Sequence, residues 1–66
     1  MNDIQETTIR TIIKIIEIHS GQNELFEVFD LADNTVMVNL LNNVETTFFI
    51  SPEGIIQLLR LPNDDY

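Results

Sequence analysis

The fold is decided by one stretch of the chain, which reads Glu24-Leu-Phe-Glu-Val-Phe-Asp-Leu-Ala32, Asp33-Asn34, Thr35-Val-Met-Val-Asn-Leu-Leu41, Asn42-Asn43, Val44-Glu-Thr-Thr-Phe-Phe-Ile50. Three runs rich in β-branched, aromatic and other apolar residues are separated by two dipeptides. Asn and Asp tolerate the positive φ that tight hairpin turns require. The stretch therefore predicts a three-stranded antiparallel β-meander.

Placing the two dipeptides at the tips of two-residue hairpins predicts the register of this meander. Side chains alternate between the faces of a strand, so the register also decides which residues share a face. In this register both faces are rich in apolar side chains, and we expect a further element or partner to cover the second face. The predicted pairs are Leu31 with Val36, Phe29 with Val38, Glu27 with Leu40, Leu41 with Val44, Asn39 with Thr46, and Met37 with Phe48.

The segment Thr8–His19 carries two conflicting signals. Its many Ile and Thr residues favour a strand, because β-branched side chains lose rotamer freedom in helices. Its isoleucines, however, also recur at helical spacing, and Asp3 with Glu6 at the start and Gly21 at the end suit helix caps. The composition and the short loop to the next strand favour a strand over a helix.

The segment after Ile50 also allows two structures. In the favoured one, Pro52 and Glu53 form the centre of a type I turn and Gly54 takes the left-handed position of a three-residue hairpin loop. Residues 55–61 are then a last strand. In the other, Ser51 caps a helix that starts at Pro52 and runs to Leu61.

These elements together predict a mainly β fold, a single small antiparallel β-meander of about five strands that can close into a small barrel. The alternative is an α+β fold, in which a helix formed by residues 4–19 or 52–61 packs on a three- or four-stranded sheet. Residues 1–66 form one domain in either case. Residues 1–7 and 62–66 are expected to be frayed tails.

Composition narrows the classes of function. The 66 residues include no Cys and one His, so disulfides are excluded and a classical zinc site is disfavoured. Eleven acids against three basic residues give a net charge of −8, which repels nucleic acid and anionic lipid surfaces. We expect no cofactor, no direct nucleic-acid or membrane binding, and a protein partner that is cationic. The acidic N-terminus, unlike a secretory signal, suggests a cytoplasmic location.

Candidate functional residues are few. His19 has no nucleophile indicated beside it and is interpreted as a strand-end residue, so we expect no catalytic site. The acids Glu24, Glu27, Asp30 and Asp33 recur every three residues, a spacing that matches no EF-hand loop. They are candidates for partner binding together with Phe48 and Phe49, whose rings point to opposite sides of a strand.

The hypothesis that follows is a non-enzymatic, small acidic interaction protein that binds another protein and self-associates as a homodimer or higher oligomer. The alternative is an acidic inhibitor of the phage type. Its carboxylates would imitate nucleic-acid phosphates and block a basic channel of a host protein.

Overall fold

A computed structural model describes residues 1–43 and 45–58 of the chain. One helix lies on one face of a four-stranded antiparallel sheet whose strands follow each other in chain order. The fold is therefore α+β with an open sheet, the alternative predicted from the sequence, and the mainly β prediction is correct only for the sheet. The elements are α1 (Asp3–Ser20), β1 (Phe26–Asp30), a short 3₁₀ turn (Ala32–Asn34), β2 (Val36–Leu40), β3 (Thr47–Ile50) and β4 (Ile56–Leu58).

Both ends of α1 are capped by side-chain and backbone hydrogen bonds. The Asn2 side chain accepts from the Gln5 backbone N–H at 2.8 Å, and Gln5 Oε1 accepts from the Asn2 backbone N–H at 3.0 Å, which completes a capping box. Gly21 ends the helix at φ 76°, and its N–H donates to the Glu17 carbonyl. The predicted Gly21 end is confirmed, while the cap lies one residue earlier than the Asp3 and Glu6 pair.

Packing explains why an isoleucine-rich segment is a helix here. Ile9 and Ile13 are buried, and Ile12 and Ile16 pack partly against the same core. Their helical spacing places all four on one side, and burial of that side against the sheet outweighs the weak helix propensity of Ile. The strand prediction for Thr8–His19 is therefore wrong, and Asp3–Thr7, predicted to fray, form the first turns of α1.

The meander is present, but its register differs by one residue from the predicted one. Asp33 and Asn34 adopt the left-handed conformation expected of a turn, yet Ala32 joins them, and the Leu31 N–H donates to the Thr35 carbonyl across a three-residue loop. The extra loop residue shifts the β1–β2 pairs by one residue, and the β2–β3 pairs also lie one residue away from the predicted register. The observed pairs include Val28 with Val38, Phe29 with Met37, Val38 with Phe48, and Met37 with Phe49.

The corrected register gives the sheet one covered face and one uncovered face. The core lies between α1 and the covered face, where β2 and β3 contribute its buried side chains. The core residues are Ile9, Ile13, Val36, Val38, Leu40, Phe48 and Ile50. The other face has no helix on it among the described residues, and we call it the open face.

The connection from β3 to β4 has the predicted turn. Gly54 lies at φ 88°, and the N–H of Ser51 donates to the carbonyl of Ile55 at 2.9 Å. A Cβ at Gly54 would also stand 2.8 Å from the Ile4 side chain, so both the backbone and the packing require glycine there. The strand predicted for 55–61 is confirmed over Ile56–Leu58. The predictions for Val44, for residues 59–61 and for the 62–66 tail lie outside the described residues.

Candidate functional site

The open face carries a row of large side chains across its middle. Phe29, Met37 and Phe49 are direct cross-strand neighbours on β1, β2 and β3, and Gln57 of β4 continues the row. Phe29 is 41% exposed, and Met37 and Phe49 are half-buried by each other and by the strands. Such a row offers an apolar strip to any surface that docks on the sheet.

Polar groups lie beside this strip at the Leu40 end of β2. Glu27 pairs with Asn39, and Asn39 pairs with Thr47. The Thr47 hydroxyl donates to Asn39 Oδ1 at 2.9 Å, so these two polar side chains already satisfy each other. Among the residues that the structure describes on the four strands, only Glu27 brings a charge to the open face, because the other side chains that the register places there are apolar or neutral.

More apolar side chains extend the open face beyond the strand ends. By strand alternation, Leu25 and Leu41 lie at one end of the face and Leu31 and Ile55 at the other. All four are exposed, from 40% for Leu31 to 68% for Ile55. Leu31 and Ile55 extend the apolar surface of the central strip, whereas the polar row of Glu27, Asn39 and Thr47 separates Leu25 and Leu41 from that strip. Exposed apolar surfaces of this kind are common where proteins associate.

Charge is distributed unevenly around this surface. Residues 21–58, which contain the whole sheet, include six acids and no Lys, Arg or His. Arg10 and Lys14 both lie on the helix, on the far side of the sheet from the open face. The turns that border the sheet carry Asp33, Glu45 and Glu53. The open face is therefore apolar and framed by carboxylates.

The four acids that the sequence grouped together occupy four different surroundings. Glu24 is buried beside the end of α1, Glu27 lies on the open face, and Asp33 lies at the tip of the β1–β2 loop. Asp30 belongs to the covered side, where Oδ1 is 3.8 Å from the Met1 ammonium. The four acids do not share one face, because a strand places residues three apart on opposite faces.

The two phenylalanines of β3 also separate. Phe48 is 1% exposed in the core against Val38, whereas Phe49 is on the open face. The two rings lie on opposite faces of the sheet, as the alternation predicted. Leu25, Leu41 and Ile55 were missed as candidates, and strand alternation in the correct register would have placed them on the same face of the sheet as Phe49.

Glu24 has an unusual environment for a carboxylate. It is 7% exposed, its Oε2 accepts from the Ser20 hydroxyl at 3.2 Å, and no described group donates to its buried Oε1. The Glu17 carboxylate accepts from the Glu24 backbone N–H at 3.3 Å, which brings a second negative group close. Both lie at the negative end of the helix dipole, which disfavours further negative charge.

Replacing this buried charge is expected to stabilise the fold. E24Q removes an incompletely paired carboxylate and keeps the side-chain volume, so the free energy of unfolding at pH 7 should rise by about 1 kcal/mol. Guanidinium unfolding followed by circular dichroism measures this change. E27Q, a matched change on the exposed open face, should shift stability by less than about 0.5 kcal/mol. Destabilisation by E24Q would mean that the carboxylate makes a favourable contact.

The one histidine of the chain lies on α1, on the side of the sheet opposite the open face. His19 is exposed in the last turn of α1, not at a strand end as predicted. Within residues 1–43 and 45–58 no three His, Asp or Glu side chains come together to hold a metal ion. The described helix is too polar to cross a membrane.

Comparisons with protein-family models, with curated proteins and with solved structures found no match for this chain.

Proposed function

We propose that this chain is a small acidic interaction protein that binds another protein through its open face and self-associates, without catalysing a reaction. The observation that carries the proposal is the uncovered apolar surface around Phe29, Met37 and Phe49. A four-stranded sheet needs apolar cover on one face for stability, and α1 supplies it. The apolar side chains of the second face are then in excess of what the fold needs.

The charges around the face favour a particular partner. A partner surface with an apolar centre and a rim of Lys and Arg would complement the strip and the surrounding carboxylates together. A second copy of the same face would instead bring two acidic frames against each other, since residues 21–58 contain six acids and no basic residue. The open face is therefore assigned to a cationic protein and not to self-association.

The alternative function is an acidic inhibitor that imitates nucleic acid. It would also bind a basic target protein, but through carboxylates and not through the apolar strip. It needs carboxylates spaced along one surface, and the dispersal of Glu24, Glu27, Asp30 and Asp33 does not favour it. Binding by carboxylates alone would be lost at moderate salt, because counterion screening weakens exposed charge pairs. Binding centred on the apolar strip would persist.

We expect F49A to reduce binding to the partner at least tenfold while the protein remains folded. The immobilised protein is used to capture partners from lysate of the source organism, and affinity is then measured with the purified partner. I18A is the matched control, because Ile18 is 73% exposed on α1, away from the open face.

The outcomes of this experiment separate the two functions. Binding that is lost in F49A, unchanged in I18A and retained at moderate salt supports docking on the open face. A partner displaced by DNA and by salt, and bound equally by F49A, would support the acidic inhibitor instead. Capture of no cationic protein would count against both.

A further inference from the structure

The two edges of the sheet are protected to different degrees. On β1, Glu27 and Asp30 put a charge on each face of the edge strand, and Asp30 lies near the Met1 ammonium. On β4, the sequence Ile56-Gln57-Leu58 contains no charge and no proline. Edge strands that lack charges, prolines and bulges are open to pairing with another strand. Among the described residues, β4 has no neighbour on its outer side.

The hydrogen-bond pattern shows which backbone groups of β4 are available. The Ser51 N–H donates to the Ile55 carbonyl, so Ile55 faces β3 with its backbone groups. In an antiparallel ladder this orientation alternates, and Gln57 therefore also faces β3. The N–H and C=O groups of Ile56 and Leu58 point away from the sheet, towards the outer edge. They are the donors and acceptors that a further strand would use.

The side of α1 above β4 is also free of Asp, Glu, Lys and Arg. Ile15 and His19 line a groove with Leu40 and Leu58, and this groove runs between the helix and β4. On a helical wheel, the five charged residues of α1 lie together, away from the side above β4. Two of them, Glu6 and Arg10, lie towards β1 and next to Phe26. The five charged residues are Asp3, Glu6, Arg10, Lys14 and Glu17.

Two apolar side chains of β4 lie on the side of the sheet that faces this groove. Ile56 is 46% exposed and Leu58 is 42% exposed, although the register puts both on the face that α1 covers. A single helix about 10 Å wide spans only about two strands at their spacing of about 4.8 Å. The outer strand β4 is therefore left partly uncovered.

We propose that β4 pairs with β4 of a second copy of this chain, which joins two sheets into one of eight strands. A two-fold axis through Gln57 places Ile56 opposite Leu58 of the second copy, and Leu58 opposite its Ile56. Both pairs use the outward N–H and C=O groups, so the seam gains four backbone hydrogen bonds. The apolar side chains of each pair cover one another on the helix side, and the two Gln57 side chains meet on the open side.

A second copy fits this edge better than a cationic partner does. The seam is uncharged, so a chain with a net charge of −8 meets its twin where repulsion is least. The register is also self-complementary, as a two-fold interface requires. The strand is only three residues long, and the seam buries less than the roughly 800 Å² per partner of a standard interface. We therefore expect dimerisation that depends on concentration.

A single introduced cysteine tests this geometry, because the chain has none of its own. The two copies of residue 57 face each other as a non-hydrogen-bonded pair, with Cα atoms about 4.5 Å apart, which is within the range of a disulfide. Q57C should form a covalent dimer under mild oxidation at least tenfold faster than Q22C, which places the thiol on an exposed loop. Equal rates for the two variants would overturn the proposal.

A pair of charged variants tests the register. I56K and L58E each place a charge against an apolar side chain of the second copy, so each alone should sediment as a monomer. Mixed, they form a heterodimer in which the two new charges lie opposite each other, and its recovery in sedimentation velocity supports the seam. Circular dichroism checks that each variant is folded.

The proposal rests on the self-association half of the proposed function and not on the open face. A wild-type protein that stays monomeric at millimolar concentration overturns the proposal. A dimer that is unaffected by I56K and by L58E overturns the β4 seam but leaves self-association standing. Partner binding through Phe49 is independent of all these outcomes.

Discussion

F48A is expected to lower the free energy of unfolding by about 4 kcal/mol, because truncating a buried phenylalanine removes apolar contacts and leaves a cavity. Phe48 is 1% exposed, pairs with Val38 and belongs to the core beneath α1. The whole domain is expected to have about 3 to 10 kcal/mol of stability for its length. The variant should therefore lose a large part of its stability and melt at a markedly lower temperature, as followed by far-UV circular dichroism during thermal melting.

The neighbouring residue supplies the matched control. F49A makes the same chemical change on the open face, where the ring is only half-buried, and should cost about 1 kcal/mol. F48L keeps most of the core volume and should lose less than about 1.5 kcal/mol, so a graded response is measurable even if F48A does not fold. Equal destabilisation by F48A and F49A would mean that the assignment of the two faces is wrong.

The contrast between F48A and F49A depends on the strand register. The register predicted from the sequence was wrong by one residue. The sequence predicted the three strands of the meander and the left-handed Asp33 and Asn34, but the number of loop residues decides the pairing, and a turn dipeptide does not reveal it. With Ala32 in the loop, Phe29 pairs with Met37 instead of Val38. A one-residue slip of this kind reassigns the cross-strand neighbours and hence the faces.

The helix was predictable only as an alternative, for a related reason. Local propensity disfavours a run of isoleucines in a helix, and only the presence of a sheet face to bury Ile9 and Ile13 reverses the balance. The periodicity of the isoleucines was therefore the better guide in this segment. Of the residues proposed from the sequence for partner binding, Glu27 and Phe49 are on the open face, whereas Glu24 and Phe48 are buried.

Gln5 is a structural residue that no sequence pattern indicated. It is 1% exposed, and its Nε2 donates to the carbonyls of Asn34 at 2.7 Å and Ile50 at 3.1 Å. Its Oε1 accepts from the Asn2 backbone N–H, which completes the helix cap. One side chain therefore joins the start of α1 to the β1–β2 loop and to the end of β3, two places that the sequence separates widely.

Q5A is expected to lower the free energy of unfolding by about 3 kcal/mol, because it leaves the buried Ile50 carbonyl, the part-buried Asn34 carbonyl and the Asn2 N–H without their partner. Q5E should be at least as damaging, since a carboxylate that faces the carbonyls of Asn34 and Ile50 replaces a donor with an acceptor. Q22A, at an exposed loop position, should change stability by less than about 0.5 kcal/mol. Guanidinium unfolding at neutral pH ranks the three variants.

The loss of stability in Q5A shows which contacts of Gln5 hold the helix on the sheet. If Q5A costs no more than an ordinary N-cap substitution, about 1 kcal/mol, then the cap is the only role of Gln5. A loss well above that value requires the contacts to Asn34 and Ile50 as well. Hydrogen exchange of the β2 and β3 amides then distinguishes the cases, because loss of the link should reduce protection in both strands and not only in the first turn of α1.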